Sequence, residues 1–213
     1  MNTPMRRFPW FALPLLAAAA ARAAPPQDYR IDPVHSQVIF CVDHDGFSTP
    51  CGRLRVAAGW LHFDRDDWSR SRVVADIDLA SVDMGDAGWE KAVRGRDFLD
   101  AKRAPLAHFE SVSVQRRDDD HGVLHGTLTL RGASREVTIP FTVNRVGITA
   151  FGLHTIAGFS GAVTLARRDF GMTAFAKSIG ADVQVRLEIE AILDSRAPEL
   201  YRQYEATHAA TQQ

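Results

Sequence analysis

The chain has 213 residues, 46% of them hydrophobic, with 25 Lys+Arg set against 26 Asp+Glu. That near-even balance argues against nucleic acid as a partner, since no excess of cations is present to meet a phosphate backbone.

In chain order, the first segment reads as an address. Arg6 and Arg7 precede an apolar run from Phe8 to Ala21, which ends in Ala21-Arg22-Ala23. A positive start, a short hydrophobic stretch and small residues at −3 and −1 predict a secretory signal over residues 1–23, with the mature protein in the periplasm. A retained signal anchor is the competing reading. The run falls short of the ~20 apolar residues of a membrane span and no later stretch reaches that length, so no stable membrane insertion is expected. Cleavage after Ala23 removes three arginines and leaves 22 Lys+Arg against 26 Asp+Glu, a balance of −4. The remaining chain is long enough for one domain, expected over residues 24–197, with a sizeable core or cavity.

From Tyr29 onward the dominant signal is a period of two. Val34, Ser36, Val38, Phe40, Val42 and His44 fall on one face of a first strand, expected over Tyr29–Asp43. The breaker-rich His44–Gly52 turns the chain into a second strand, Arg53–Phe63, and the polar Asp64–Ser71 turns it again into a third, Arg72–Leu79. The pattern then changes. Trp89, Val93 and Phe98 suit a helical spacing, which predicts one short helix over Gly88–Leu99 between strands three and four. A fourth strand starts near Ala107. Strand five is Val123–Leu130, followed by a tight hairpin at Arg131–Ser134. Strand six, Arg135–Asn144, alternates Val137, Ile139, Phe141 and Val143 with polar residues. Strand seven spans Leu153–Arg167. Strand eight, Asp182–Leu193, alternates Val183, Val185, Leu187 and Ile189 with Gln184, Arg186, Glu188 and Glu190. Residues 198–213 form a polar tail, helical or frayed.

Cys41 and Cys51 both lie in the exported part. Ten positions apart in an oxidising compartment, they favour a disulfide; the alternative is two free thiols, one of them buried. Eight strands with short antiparallel connections suit a small closed barrel, which leaves no edge strand open to aggregation. An immunoglobulin-type sandwich is the other arrangement that would pool these faces. For the barrel, the stripes alone allow either a packed lumen or an apolar tunnel.

Several strings decide between these by resemblance. Tyr29-Arg30-Ile31-Asp32-Pro33-Val34-His35-Ser36 with Val38, Phe40, Val42, His44 and Gly46, then Gly59-Trp60-Leu61-His62-Phe63-Asp64, then Asp97-Phe98-Leu99-Asp100 with Pro105 and Phe109-Glu110-Ser111, come in one order. Gly126-Thr127-Leu128-Thr129-Leu130-Arg131-Gly132, Gly158-Phe159 and Arg167-Arg168-Asp169-Phe170-Gly171-Met172 follow. Over Asp28–Leu193 the chain resembles the YceI-like family, exported bacterial proteins with an extended lipocalin-like barrel that binds polyisoprenoids or similar long-chain lipids. One departure is Ala92, where relatives often carry histidine.

The resemblance implies an all-β, mainly antiparallel, eight-stranded lipocalin-like barrel that holds its ligand in the lumen. Its lining is then expected from Val38, Phe40, Val42, Phe63, Ile77, Phe98, Phe109, Leu128, Phe141, Phe159 and Val163. His44, at a strand end, offers a hydrogen bond to a ligand head group, or is a capped structural histidine. Arg94 and Arg167 line a mouth suited to anionic heads, or belong to a solvated face.

Each buried CH₂ contributes about 0.8 kcal/mol, so a dozen supply ~10 kcal/mol against association costs of ~4–15 kcal/mol, and a long chain is the credible cargo. No cofactor is expected beyond such a non-covalent lipid. A homodimer is compatible with the chain but nothing requires it. Catalysis is not expected: Gly158-Phe159-Ser160-Gly161 is no nucleophile elbow, and His121 and His125 lack a third metal ligand.

Overall fold

The computed structural model describes residues 26–150 and 152–211, so the expected signal segment lies outside the described residues. Nine strands, β1 Gln27–Ile31, β2 Gln37–His44, β3 Cys51–Phe63, β4 Arg72–Asp83, β5 Leu106–Arg116, β6 His121–Leu130, β7 Ala133–Ile148, β8 Thr155–Ala166 and β9 Ile179–Leu193, form one antiparallel sheet. Two helices accompany them, α1 Ala87–Arg94 between β4 and β5 and α2 Ala197–Thr211 after β9. The sheet closes through pairing of β3 with β4.

β1 and β2 share one position in the ring. Both pair with β3 on one side and β9 on the other: Tyr29 faces Leu61 and Leu193, while Val38 faces Leu54 and Leu187. The barrel therefore has eight positions, all antiparallel. The single long first strand read from the period-two pattern is broken at Asp32–Ser36. Pro33 brings no N–H to a ladder. The Asp32 carboxylate accepts instead from Val34 N at 2.9 Å, and Ser36 N donates to Asp32 O at 3.0 Å. Ser36 Oγ then donates to Glu190 O and accepts from Glu190 N, both at 3.1 Å, standing in for the missing backbone pair. Val34, expected on the inward face, sits at the tip of this turn in solvent.

The disulfide joins Cys41 and Cys51, register partners on β2 and β3 with Cα atoms 4.1 Å apart. Val42 N donates to Pro50 O at 3.2 Å, so backbone pairing continues one residue beyond the bridge, to the proline that precedes β3. Replacing both cysteines with serine should cost ~2–3 kcal/mol through the loop entropy returned to the unfolded chain. A urea melt of the double variant beside the oxidised protein measures it.

α2 occupies the region read as a polar tail, and it is docked. It packs on β3 and β1, burying Ala197 and Tyr201. The Tyr201 hydroxyl donates to Asp76 Oδ2 at 2.8 Å, and His108 Nδ1 donates to Asp76 Oδ1 at 2.8 Å. Asp76 is a buried carboxylate on the outer face of β4, held by a hydrogen bond on each oxygen. Burial and the Asp76 carboxylate raise the Tyr201 pKa, and burial pushes Tyr204 up to about 12.

The hydrogen bond to Asp76 raises the pKa of His108 above its ordinary value, with Glu110 and Glu205 adding to the effect. A raised histidine pKa contributes stability that is complete below ~6.5 and is lost as pH rises through the folded-state value. The exposed His35 beside Asp32 acts in the same direction. The difference in melting temperature between the protein and His108→Asn should therefore be largest near pH 6 and shrink toward pH 8.5. A difference that does not change with pH would contradict this assignment.

Candidate functional site

The period-two stripes all point one face of their strands into the barrel, and burial along them is uneven. At the end where β1 starts and β9 finishes, Tyr29, Ala157 and Ala191 are wholly buried and Leu61 and Phe63 nearly so. Further along, Phe40, Ile77, Phe109, Leu128, Val185 and Leu187 keep accessible surface although they face the interior. In a lumen filled by side chains these residues would be as buried as Tyr29. They surround a cavity of about 360 Å³ instead.

The closed end is made of rings. Phe63 meets Trp68 and Phe159 at centroid distances of 5.8 and 5.4 Å, and Trp68 stacks on Phe141 at 5.5 Å. Trp68 reaches this position from a polar turn, and the local sequence explains how. Asp64 Oδ1 accepts from the backbone N–H of Asp66 and Asp67, each at 3.0 Å, and the Asp64 carboxylate pairs with Arg70. Asp67 Oδ1 then accepts from Ser69 N at 3.1 Å and caps a single 3-10 turn, Trp68–Arg70. These backbone hydrogen bonds hold the Asp64 carboxyl below the usual carboxylate range, with help from Arg70. Gly122 on β6 supplies the clearance: a Cβ there would lie 2.6 Å from the Phe141 ring and 2.7 Å from that of Trp68. Gly126 does the same for Phe109, at 2.4 Å.

The other end is a mouth. α1 lies across it, capped by Asp86, whose Oδ1 accepts from Trp89 N at 2.9 Å. Trp89, Ala92 and Val93, at i, i+3 and i+4, line the cavity, yet no residue of α1 is fully buried because the space below is hollow. The helix ends at Gly95, earlier than the spacing predicts, and Phe98 and Leu99 reach the lumen from the turns that follow.

Of the residues expected at the site, Val38, Phe40, Val42, His44, Phe63, Ile77, Phe98, Phe109, Leu128, Phe141, Phe159, Val163 and Arg167 line this cavity. Arg94 does not. Its guanidinium reaches Ala80 O at 3.5 Å and Glu90 at 3.8 Å, on the outer side of α1. Arg167 is buried, but it donates to three backbone carbonyls, Gly180 O at 2.8 Å, Met172 O at 2.7 Å and Ile179 O at 3.1 Å. Burial without a carboxylate partner lowers its pKa. Those bonds pin residues 167–180 as a cap over the lumen, so this arginine is occupied with structure.

His44 lies at the mouth, its ring edge-on to Trp89 at 6.1 Å, and its imidazole has no hydrogen-bond partner among the described residues. It is a free donor or acceptor at the threshold of an apolar chamber. The aliphatic side of that chamber, Val183, Val185, Leu187 and Ile189 on β9, reads as a stripe in the sequence but lies outside the lining expected there. Trp68 gave no period-two signal at all. Among the described residues, no three His, Cys, Asp or Glu side chains converge as a metal site.

A model of the YceI-like domain matches residues 29–191. The chain belongs to the YceI-like family. UPF0312 proteins of Pseudomonas aeruginosa and Shewanella putrefaciens are 34% and 32% identical to it over 180 residues, which is 84% of this chain and 92% of each relative. Among solved structures, BcnA of Burkholderia cenocepacia superposes with a TM-score of 0.68 at 25% identity, covering 76% of this chain and 99% of BcnA. A polyisoprenoid binding domain from Saccharophagus degradans, implicated in plant cell wall breakdown, shares the fold with a TM-score of 0.60 at 14% identity. It covers 78% of this chain and 98% of that domain. The YceI-like barrel thus accounts for the closed antiparallel sheet and for the lumen it encloses.

Proposed function

We propose that this YceI-like protein is an exported, periplasmic carrier that sequesters a long-chain isoprenoid-type lipid (a polyprenol, a polyprenyl phosphate or a quinone) in its barrel. The observation that carries the reading is the ring of half-buried inward side chains around a 360 Å³ apolar cavity, plugged by aromatics at one end and open at the other. Apolar surface left unfilled in a core is unfavourable, and a chain of methylenes or isoprene units entering from the mouth would cover it. Binding and release, without bond-making, is the mechanism. The tail is held by dispersion and by its removal from water. His44 at the threshold offers one hydrogen bond to a hydroxyl, carbonyl or phosphate head. The likeness to a polyisoprenoid binding domain supports this class of cargo.

The test is native mass spectrometry of the protein purified from the cells that make it, followed by solvent extraction. One equivalent of a prenyl lipid is the expected result. A fatty acid in its place would keep the carrier and change the cargo. An empty protein that also rejects prenols, quinones and fatty acids in solution would overturn the reading.

A further inference from the structure

The mouth carries a rim that holding a lipid does not by itself require. Phe47 is 86% exposed, Phe175 61% and Trp89 39%. They come from three separate segments that the fold ties together. Asp45 N donates to Ser178 O at 2.6 Å, Trp89 meets His44 edge-on at 6.1 Å, and Phe175 stacks on Phe98 at 5.9 Å. Phe47 closes a two-residue turn in which Asp45 and Gly46 are both left-handed, with its N–H donating to His44 O at 3.0 Å. Phe175 itself sits at φ 53, a region that bulky residues enter at a cost, and there it holds its ring mostly in solvent. Conformational strain that exposes a large apolar group suits a second apolar phase at the mouth.

Charge is distributed to match. The chain has three lysines, Lys91, Lys102 and Lys177, and all lie in the mouth segments. Residues 45–50, 84–105, 131–132 and 167–178 carry nine Lys+Arg against six Asp+Glu, a balance of +3. At the plugged end, residues 64–71, 117–120, 149–150, 152–154 and 194–196 carry four against seven, a balance of −3. Lys91, Arg96, Lys102 and Lys177 are exposed and have no ion-pair partner among the described residues. A two-fold contact with a second copy would bring two positive rims together, which charge disfavours. An anionic surface with an apolar layer beneath it satisfies both the cations and the rings.

We propose that the mouth docks on the surface of an anionic lipid bilayer. Phe47, Trp89 and Phe175 enter the headgroup–acyl boundary, and Lys91, Arg96, Lys102 and Lys177 lie over anionic headgroups. The opening of the lumen then stands level with the acyl chains, and cargo passes between bilayer and barrel without crossing bulk water. The inference rests on the carrier reading, since a barrel without lipid cargo has no use for that alignment.

The experiment is co-flotation of the full-length mature protein with vesicles of phosphatidylcholine alone and with phosphatidylglycerol added. It is run beside a Phe47→Ser/Phe175→Ser variant, with prenol loading of both proteins measured by native mass spectrometry. Neither substituted residue lines the cavity, so the variant should load like the parent. Binding to the phosphatidylglycerol vesicles, weakened by salt near 0.5 M and lowered roughly tenfold in the variant, is the expected result. Equal binding by parent and variant, or none by the parent while it loads prenol, would overturn the docking and leave the carrier reading standing. A parent that dimerises through this face, shown by the variant alone becoming monomeric with vesicle binding unchanged, would overturn it in favour of self-association. A parent that takes up no prenol, quinone or fatty acid would remove both.

Discussion

Filling the lumen of the barrel is expected to weaken lipid binding roughly a hundredfold while leaving the fold intact. Leu128 on β6 and Val185 on β9 both face the cavity and both keep accessible surface. Leu128 stands opposite Phe109 in the ladder and Val185 opposite Val163, so both belong to the hollow part of the stripes. Replacing each with phenylalanine adds apolar volume where no atoms now lie. In a packed core such an addition costs about 1–3 kcal/mol through strained rotamers and backbone shifts. Beside a void it costs little, because new contacts offset the ordering of the larger ring. Cargo meets the opposite situation. Denying space to four methylenes removes ~3 kcal/mol of burial, roughly a hundredfold in affinity.

The double variant should therefore show an unchanged urea midpoint and a roughly hundredfold weaker hold on a C15–C20 prenol, as measured by displacement titration. The two readouts answer separate questions. A variant destabilised by the overpacking cost would mean that the lumen is filled in solution. A variant that is stable yet still binds prenol at parental affinity would place the cargo outside the lumen.

How far the sequence reveals this architecture depends on which force sets each element. Where burial alone decides, a period of two suffices. Val38, Phe40 and Val42, then Val137, Ile139 and Phe141, then Val183 to Ile189, all face the interior as their alternation implies. The same rule fails at Val34, because Pro33 interrupts the ladder and the Asp32 and Ser36 side chains take over its hydrogen bonds. Trp68 is hidden for a related reason. It stands in a segment of aspartates, arginines and serines that reads as solvated, and only the backbone bonds to Asp64 and Asp67 turn it inward. α2 did carry a signal. Ala197, Tyr201 and Tyr204 recur at helical spacing, but in a polar terminal segment that stripe is short and its partner, Asp76, lies over a hundred residues away. The two arginines show what residue type leaves open. Arg94 and Arg167 carry the same charge near the same mouth, yet only the second borders the lumen, and its donors serve the backbone.

Truncation of Trp68 to alanine is expected to cost about 3–5 kcal/mol, the range for deleting a buried indole. The indole is 4% exposed, and its neighbours explain why the site would collapse poorly. Phe63 and Phe141 contact it on β3 and β7, and the guanidinium of Arg116 lies over it, 5.3 Å from the ring centroid. Each aromatic pair adds ~0.5–1.5 kcal/mol beyond area burial, and the cation adds about as much. Gly122 offers no side chain to fill the space. Because Phe63 and Phe141 border both the plug and the cavity, the void left by the indole would join the lumen. Trp68→Ala should thus be less stable in urea and at the same time accept longer prenols than the parent, whereas Trp68→Phe should lose less stability and keep the parental chain-length limit. A small loss, below ~1 kcal/mol, would mean that Phe63, Phe141 and Phe159 close the barrel without it. A full loss with no change in chain length would separate the plug's contribution to folding from any part in measuring the cargo.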